Sequence, residues 1–207
     1  MADNGGPPFI PEYNDTVHEY RWRGRVFPSV TTVLQVAGLV QLPPVEKSVL
    51  DLAAERGRFV HEATARIDRG LTTDHLTGLQ GYLDAYRSFC ESRVFTPRAV
   101  YTEQPLCDPA LELAGTPDRA GFLNATGTVV DLKTFEQPVP STGLQLAGYR
   151  HLLRVNGFPV ARRVAVHLAA NGTFKLVEYR DAADDAAFLA ALTLYRWRLK
   201  HLRKEAA

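Results

Sequence analysis

From Val94 to Lys133 the sequence abandons helical spacing. β-favouring residues alternate with polar ones, and Asp108-Pro109, Gly115 and the stretch from Asn124 to Gly127 interrupt them. That pattern predicts an antiparallel meander, and what surrounds it narrows the fold. His18 to Phe27 reads as a strand, and Pro28-Ser29 offers an N-cap to a short helix from Val30 to Val36 that ends at Gly38. Beyond Pro43-Pro44 a helical region runs from Val45 to Arg69 with a break expected at Gly57. Leu79, Leu83, Tyr86 and Cys90 mark the core face of another helix. After the meander, Ser141 or Thr142 caps a helix reaching Val155. Asn171-Gly172 then joins two alternating runs, Arg163 to Ala169 and Thr173 to Tyr179, as a hairpin. A helix from Ala182 to Lys204 closes the chain. The order predicts an α/β (α+β) fold: a central mixed β-sheet flanked by helices, with an N-terminal helical layer.

No repeat or Gly/Ser linker divides the 207 residues, so the expected organisation is a polar arm over 1–16 and one domain over 17–207. The formal net charge of +1 neither demands nor excludes nucleic acid. However, the four acids among the first 20 residues face no Lys or Arg there, which leaves the rest mildly basic. Two cysteines, Cys90 and Cys107, are too few for a Cys-based zinc or iron–sulfur site, and no Walker A sequence provides for ATP. The start of the chain has no basic and apolar leader pattern, and no run approaches the ~18 apolar residues of a membrane span. A cytoplasmic protein is expected.

The chemistry concentrates in Gly115-Thr116-Pro117-Asp118-Arg119 and Val129-Val130-Asp131-Leu132-Lys133-Thr134. Strand residues two apart share a face, so Asp131 and Lys133 project together while Val130 and Leu132 face the core. The turn at Asn124 to Gly127 folds Asp118, read on the preceding strand, back towards them. Two carboxylates held that close repel each other unless a hard divalent cation accepts both, and Mg²⁺ (or Mn²⁺) suits oxygen donors. Lys133 then faces the bound water or substrate, a set suited to phosphodiester hydrolysis. Taken alone, a D-x-K pair also fits a surface ion pair on an edge strand.

Asp118 with Asp131-Leu132-Lys133 resembles the signature of the PD-(D/E)XK nuclease superfamily. The accompanying segments are similar to its RecB-like exonuclease branch, which includes lambda-type phage exonucleases and the mitochondrial genome maintenance exonuclease. Pro28 to Leu34 resembles the opening helix of that branch, Arg56-Gly57-Arg58-Phe59-Val60-His61-Glu62 its G-x-x-x-H helix, Gly115 to Arg119 its G-T-x-D-R motif, and Gln145-Leu146-Ala147-Gly148-Tyr149 its Q-x-x-x-Y helix. The resemblance implies a restriction-endonuclease-like core and a Mg²⁺-dependent DNA exonuclease of recombination, repair or phage DNA processing, in a bacterial or phage-infected cell. Asp118, Asp131 and the Leu132 carbonyl would bind metal, Lys133 would be catalytic and His61 would complete the metal shell; a capping or core-edge histidine is the alternative for His61. A sequence- or structure-specific endonuclease, or an inactive DNA-binding module, keeps the same scaffold. DNA is the implied partner, with a recombination or replication protein and a second copy of the chain as further ones.

Gln145 and Tyr149 sit four apart on one helical face, placed to contact a DNA backbone or brace the catalytic strand. Thr142 to Gln145 equally fits a T-x-x-Q capping box. Arg119 either clamps a phosphate or pairs with Asp118. Glu103, read on a strand, is a water-mediated or second-metal contact or else an exposed carboxylate, and Glu62 is a solvated helix residue. Arg21, Arg23 and Arg25 alternate along one predicted strand, either as a track for phosphates or as charges guarding a sheet edge. The basic end of the last helix, from Arg196 to Lys204, complements the helix dipole with or without DNA.

Overall fold

The structure is a computed structural model that describes residues 8–40, 46–73, 76–135 and 137–202. Pro43-Pro44, Arg203, Lys204 and the first seven residues of the expected arm lie outside the described residues. The chain opens with β1 (Glu12–Asn14), β2 (Glu19–Trp22) and β3 (Arg25–Phe27), an antiparallel three-stranded sheet. The span expected as one strand is therefore a hairpin. Arg23 and Gly24 turn it with φ of 48° and 79°. The second half of the expected arm is tied down as well: β1 pairs with β2, the Cys107 N–H donates to the Phe9 carbonyl, and the Phe9 N–H donates to Asn156 Oδ1.

α1 (Val30–Val36) starts where expected, with Ser29 Oγ accepting from the Thr32 N–H at 2.9 Å. α2 (Lys47–Asp68) runs unbroken through Gly57. A glycine inside a helix costs about 1 kcal/mol, which the burial of Val60, Ala63 and Ala65 on the following turns offsets. α3 (Gln80–Ser92) and β4 (Phe95–Pro97) follow. The expected meander then splits. β5 (Leu106–Asp108) and β6 (Leu113–Gly115) form a separate two-stranded hairpin, while β7 (Arg119–Leu123) and β8 (Thr126–Lys133) join the central sheet. The small hairpin leaves the sheet because α4 (Pro140–Val155) holds it: His151 Nε2 lies 2.7 Å from Asp108 Oδ2, and Asn156 Nδ2 donates to the Cys107 carbonyl.

β9 (Arg162–Leu168) and β10 (Phe174–Glu178) pair across Asn171-Gly172, where Gly172 has a φ of 85°, and α5 (Ala183–His201) ends the fold. The central sheet has the order β10-β9-β8-β7-β4. Only β8 and β9 are parallel, joined through α4, so the sheet is mixed as the sequence predicts. Both faces of β8 are covered. Val129 packs with α1, α4 and α5, whereas Val130 and Leu132 pack with Val60 of α2 and with Ala85, Tyr86 and Phe89 of α3. The N-terminal helices therefore do not form one layer: α1 lies on the opposite face of the sheet from α2 and α3. A Cβ at Gly148 would fall 2.8 Å from both Val30 and Phe188, so this glycine lets α4 lie close against α1 and α5. No helix among the described residues is long and apolar enough to cross a membrane.

Candidate metal centre at the end of the central strand

Strand alternation brings Asp131 and Lys133 together on the α4 side of β8, with Lys133 Nζ 2.8 Å from Asp131 Oδ2. Asp118 is not on a strand; it is the residue just before β7. Arg119 pairs with Val130 across the ladder, which sets Asp118 against the next residues of β8. The Leu132 N–H donates to Asp118 Oδ2 at 2.7 Å, leaving Oδ1 to face His61. His61 enters from α2, across the sheet. Its Nε2 stands 3.0 Å from the Leu132 carbonyl, and its Nδ1 stands 3.4 Å from Asp118 Oδ1 and 3.5 Å from Glu103 Oε1. Candidate ligand atoms of His61, Glu103 and Asp118 all lie within 4.8 Å of one another.

Glu103 is the departure from expectation. It lies in the loop between a 3₁₀ turn (Ala99–Tyr101) and β5, with a φ of 49°. That left-handed conformation is uncommon for a side chain of this kind, and the contacts around it hold it in place. The Glu103 N–H donates to the Asp118 carbonyl at 3.0 Å, and its Oε1 accepts from Arg119 Nη1 at 2.8 Å.

Arg119 is wholly buried, so it cannot clamp a phosphate of an incoming strand. It also does not pair with the Asp118 carboxylate. Nη1 donates to the Asp118 main-chain carbonyl, Nη2 to Thr64 Oγ1 at 2.8 Å and to the His61 carbonyl at 3.3 Å, and Nε pairs with Asp68. Asp68 in turn accepts from the Tyr86 hydroxyl at 2.7 Å. One guanidinium thus ties together the backbones or side chains of all three candidate ligands. Thr64 and Asp68 are absent from the sequence-based site; the available signal is their spacing from His61, three and seven residues along one face of α2.

The electrostatics are those of a crowded, buried set. Burial alone would raise the Asp118 carboxyl, but His61 beside it, Lys133 and the Leu132 N–H hold it below its ordinary value. Asp131 goes the other way: burial, with the Asp118 charge added and only partly opposed by Lys133, pushes it up to about 6. Burial disfavours charge on His61, yet Asp118 and Glu103 raise its pKa well above the usual imidazole value. The hydrogen-bond inventory agrees, since every oxygen facing its two ring nitrogens is an acceptor, and only a doubly protonated ring satisfies them. Lys133 stays an ammonium because Asp131 and Asp118 outweigh its burial.

Gln145 does not cap α4. The helix begins with Pro140 at its first turn and Val139 at the cap position, and the Thr142 N–H donates to the Val139 carbonyl, so the capping box does not form. Gln145 Oε1 instead accepts from Lys133 Nζ at 3.3 Å, and its Nε2 donates to the Tyr149 hydroxyl at 3.2 Å. The three arginines near the start do not share a face. Arg21 lies opposite Val26 and Arg25 opposite Trp22, Arg23 is in the turn, and Arg21 and Arg25 pair with Glu19 and Glu112. Tyr86 of α3 is in the core and Tyr82 of the same helix packs against it, Trp22 packs against the small N-terminal cluster, and Glu62 is exposed. Arg196 and Arg198 donate to the carbonyls of Leu111 and Val36.

A donor set of one imidazole, carboxylate oxygens and a main-chain carbonyl fits a divalent cation. The space the cation would take is where the surplus proton on His61 now faces oxygen acceptors.

No family model matches the chain, and no curated protein matches it. Among solved structures, an alkaline exonuclease (LHK-Exo) from Laribacter hongkongensis is similar with a TM-score of 0.40 and 14% identity, over 86% of this chain and 94% of that one. A second, SSO0001, is similar with a TM-score of 0.34 and 16% identity, over 81% and 83%.

Proposed function

We propose that the chain is a divalent-metal-dependent DNA nuclease that hydrolyses phosphodiester bonds, working from strand ends. One observation carries the reading: Asp118, Glu103 and the Leu132 carbonyl converge on both nitrogens of His61, beside a buried Asp131–Lys133 pair. Two carboxylates and a main-chain carbonyl gathered around one imidazole make a donor set that a divalent cation can bind. In this reading His61, Asp118, Asp131 and the Leu132 carbonyl hold Mg²⁺ or Mn²⁺, as the motifs imply, and Glu103 joins them. A cation held there supplies a water of lowered pKa and offsets charge on the phosphate. Lys133, kept charged by its neighbours and aimed by Gln145, neutralises a non-bridging phosphate oxygen and aligns the nucleophile. Held as an ammonium, it is a poor proton acceptor. Gln145 and Tyr149 extend the same row of polar groups along α4, and Arg119 holds the ligands in register from below.

Purified protein should degrade linear DNA with Mg²⁺ or Mn²⁺, and not in chelator. Asp131→Ala and Lys133→Ala should each lower the rate at least ~10²-fold with the fold retained by circular dichroism. Intact linear double- and single-stranded DNA under those conditions, or equal cutting by the variants and the parent, would reject the proposal. Cutting of covalently closed circles would identify an endonuclease instead.

A further inference from the structure

A pocket of about 340 Å³ adjoins the candidate metal centre. One wall comes from the N-terminal sheet and its first turn: Tyr13, Asp15, His18 and Tyr20. The other comes from Ser29, Thr31, Thr116 and Tyr149, and Glu103 belongs to the pocket as well as to the ligand cluster. Whatever fills the pocket therefore lies beside the candidate ligand Glu103. The size falls at the lower end for small-ligand sites.

The lining has a consistent chemistry. Tyr13, Tyr20 and His18 form a fixed aromatic group, with ring centroids 4.6 Å apart for the tyrosines and the His18 ring edge-on to both. The Tyr13 hydroxyl contacts His18 Nδ1 at 2.8 Å, and the Tyr20 hydroxyl meets Thr116 Oγ1 at 2.9 Å. Hydroxyls from Ser29, Thr31, Thr116 and three tyrosines donate and accept equally well, which suits sugar hydroxyls and base edges. Among the described residues no Lys or Arg lines the pocket, whereas Asp15 and Glu103 do. A terminal phosphate needs cationic partners; this pocket would set it against two carboxylates, and against Asp15 even after a cation has neutralised Glu103.

Resting on the nuclease reading above, we infer that this pocket receives the terminal nucleoside of a strand whose end carries a free hydroxyl, and that it disfavours an end bearing a phosphate. Aromatic surface provides sequence-tolerant contact to the base, the hydroxyls engage the sugar, and Asp15 discriminates against the dianion. The N-terminal sheet and its first turn supply one wall of the pocket.

The test uses one internally labelled oligonucleotide made with hydroxyl or phosphate at each end, in all four combinations. Binding of the full chain is measured by fluorescence anisotropy in chelator, and the first cleavage is timed with Mg²⁺. Phosphate on one particular end should weaken binding and slow the first cut roughly tenfold, and phosphate on the other should not; the sensitive end reports polarity. Asp15 is exposed and carries no core packing, and Asp15→Asn should reduce the discrimination to about threefold or less. Equal binding and cutting of all four substrates, tighter binding of a phosphate end, or undiminished discrimination by Asp15→Asn would overturn the inference. Discrimination in binding without hydrolysis would support the pocket and sink the nuclease reading. Hydrolysis without discrimination would do the reverse.

Discussion

Arg119→Met isolates what the buried guanidinium contributes. The substitution keeps most of the side-chain volume but removes the partners of Thr64, Glu103, the His61 and Asp118 carbonyls, and Asp68. Asp68 is the costly loss. Its side chain is only 3% exposed, and it would keep the Tyr86 hydroxyl as its remaining partner among those described. Stranding one member of a buried pair costs about 3–5 kcal/mol, a large share of a domain's total of roughly 5–15 kcal/mol. Urea unfolding at neutral pH should therefore show a loss of that size. Adding Asp68→Leu removes the stranded charge and should recover at least about 2 kcal/mol, as coupling in a double-mutant cycle. Burial already raises the Asp68 carboxyl, with Arg119 pulling against it. Without Arg119 it rises further, so the deficit of the single variant should shrink as acid protonates Asp68. A loss below about 1 kcal/mol, or a double variant no better than the single one, would refute the argument.

Metal affinity should depend on pH with a defined sign. His61, raised by its acidic neighbours, and Asp131, raised to about 6, both bind protons that a cation must displace. Calorimetry with Mn²⁺ should therefore show tighter binding with rising pH and a heat that varies with the ionisation enthalpy of the buffer; pH-independent binding from about 5 to 8 would contradict it. Glu103→Gln should weaken Mn²⁺ binding ~10-fold or more while sparing the Arg119 contact, and unchanged affinity would remove Glu103 from the ligand set. Gly127→Ala would place a Cβ 1.9 Å from the Pro159 carbonyl oxygen, at the start of β8. It should lower stability by about 1–3 kcal/mol in thermal melts, and an unchanged melting temperature would show that the β8 to β9 approach yields easily.

The parts of this structure governed by short-range pattern were legible beforehand. The two-residue period of β8 put Asp131 beside Lys133, Ser29 capped α1, and Asn171-Gly172 turned the β9–β10 hairpin. Failures came where the local signal was ambiguous or the cause lay far along the chain. Arg21, Arg23 and Arg25 keep perfect alternation straight through a turn, because an Arg-Gly pair lacks the Asn-Gly or Asp-Gly signature of such turns. Gly57 reads as a break when the adjoining burial is invisible. Thr142 to Gln145 satisfies the capping-box spacing, but Pro140 starts the helix earlier and Lys133 claims the glutamine. Arg119 reads as a site group, and although Thr64 and Asp68 share a helical face with His61, that they are the partners of Arg119, more than fifty positions away, follows from the tertiary arrangement. Glu103 stands out in the sequence as a candidate carboxylate, but its left-handed backbone and place in a loop depend on Asp118 and Arg119 together.

The wall carrying Tyr13, Asp15, His18 and Tyr20 belongs to one sheet and its first turn, and the strand carrying Asp131 and Lys133 to another sheet. In the proposed reading, the residues for hydrolysis and most of one wall of the end-binding pocket are carried on separate sheets, with Glu103 shared between the two. Grafting a different β1–β3 unit onto the same body would change which termini are accepted without rebuilding the chemistry, a modularity available to protein engineers and to natural variation alike.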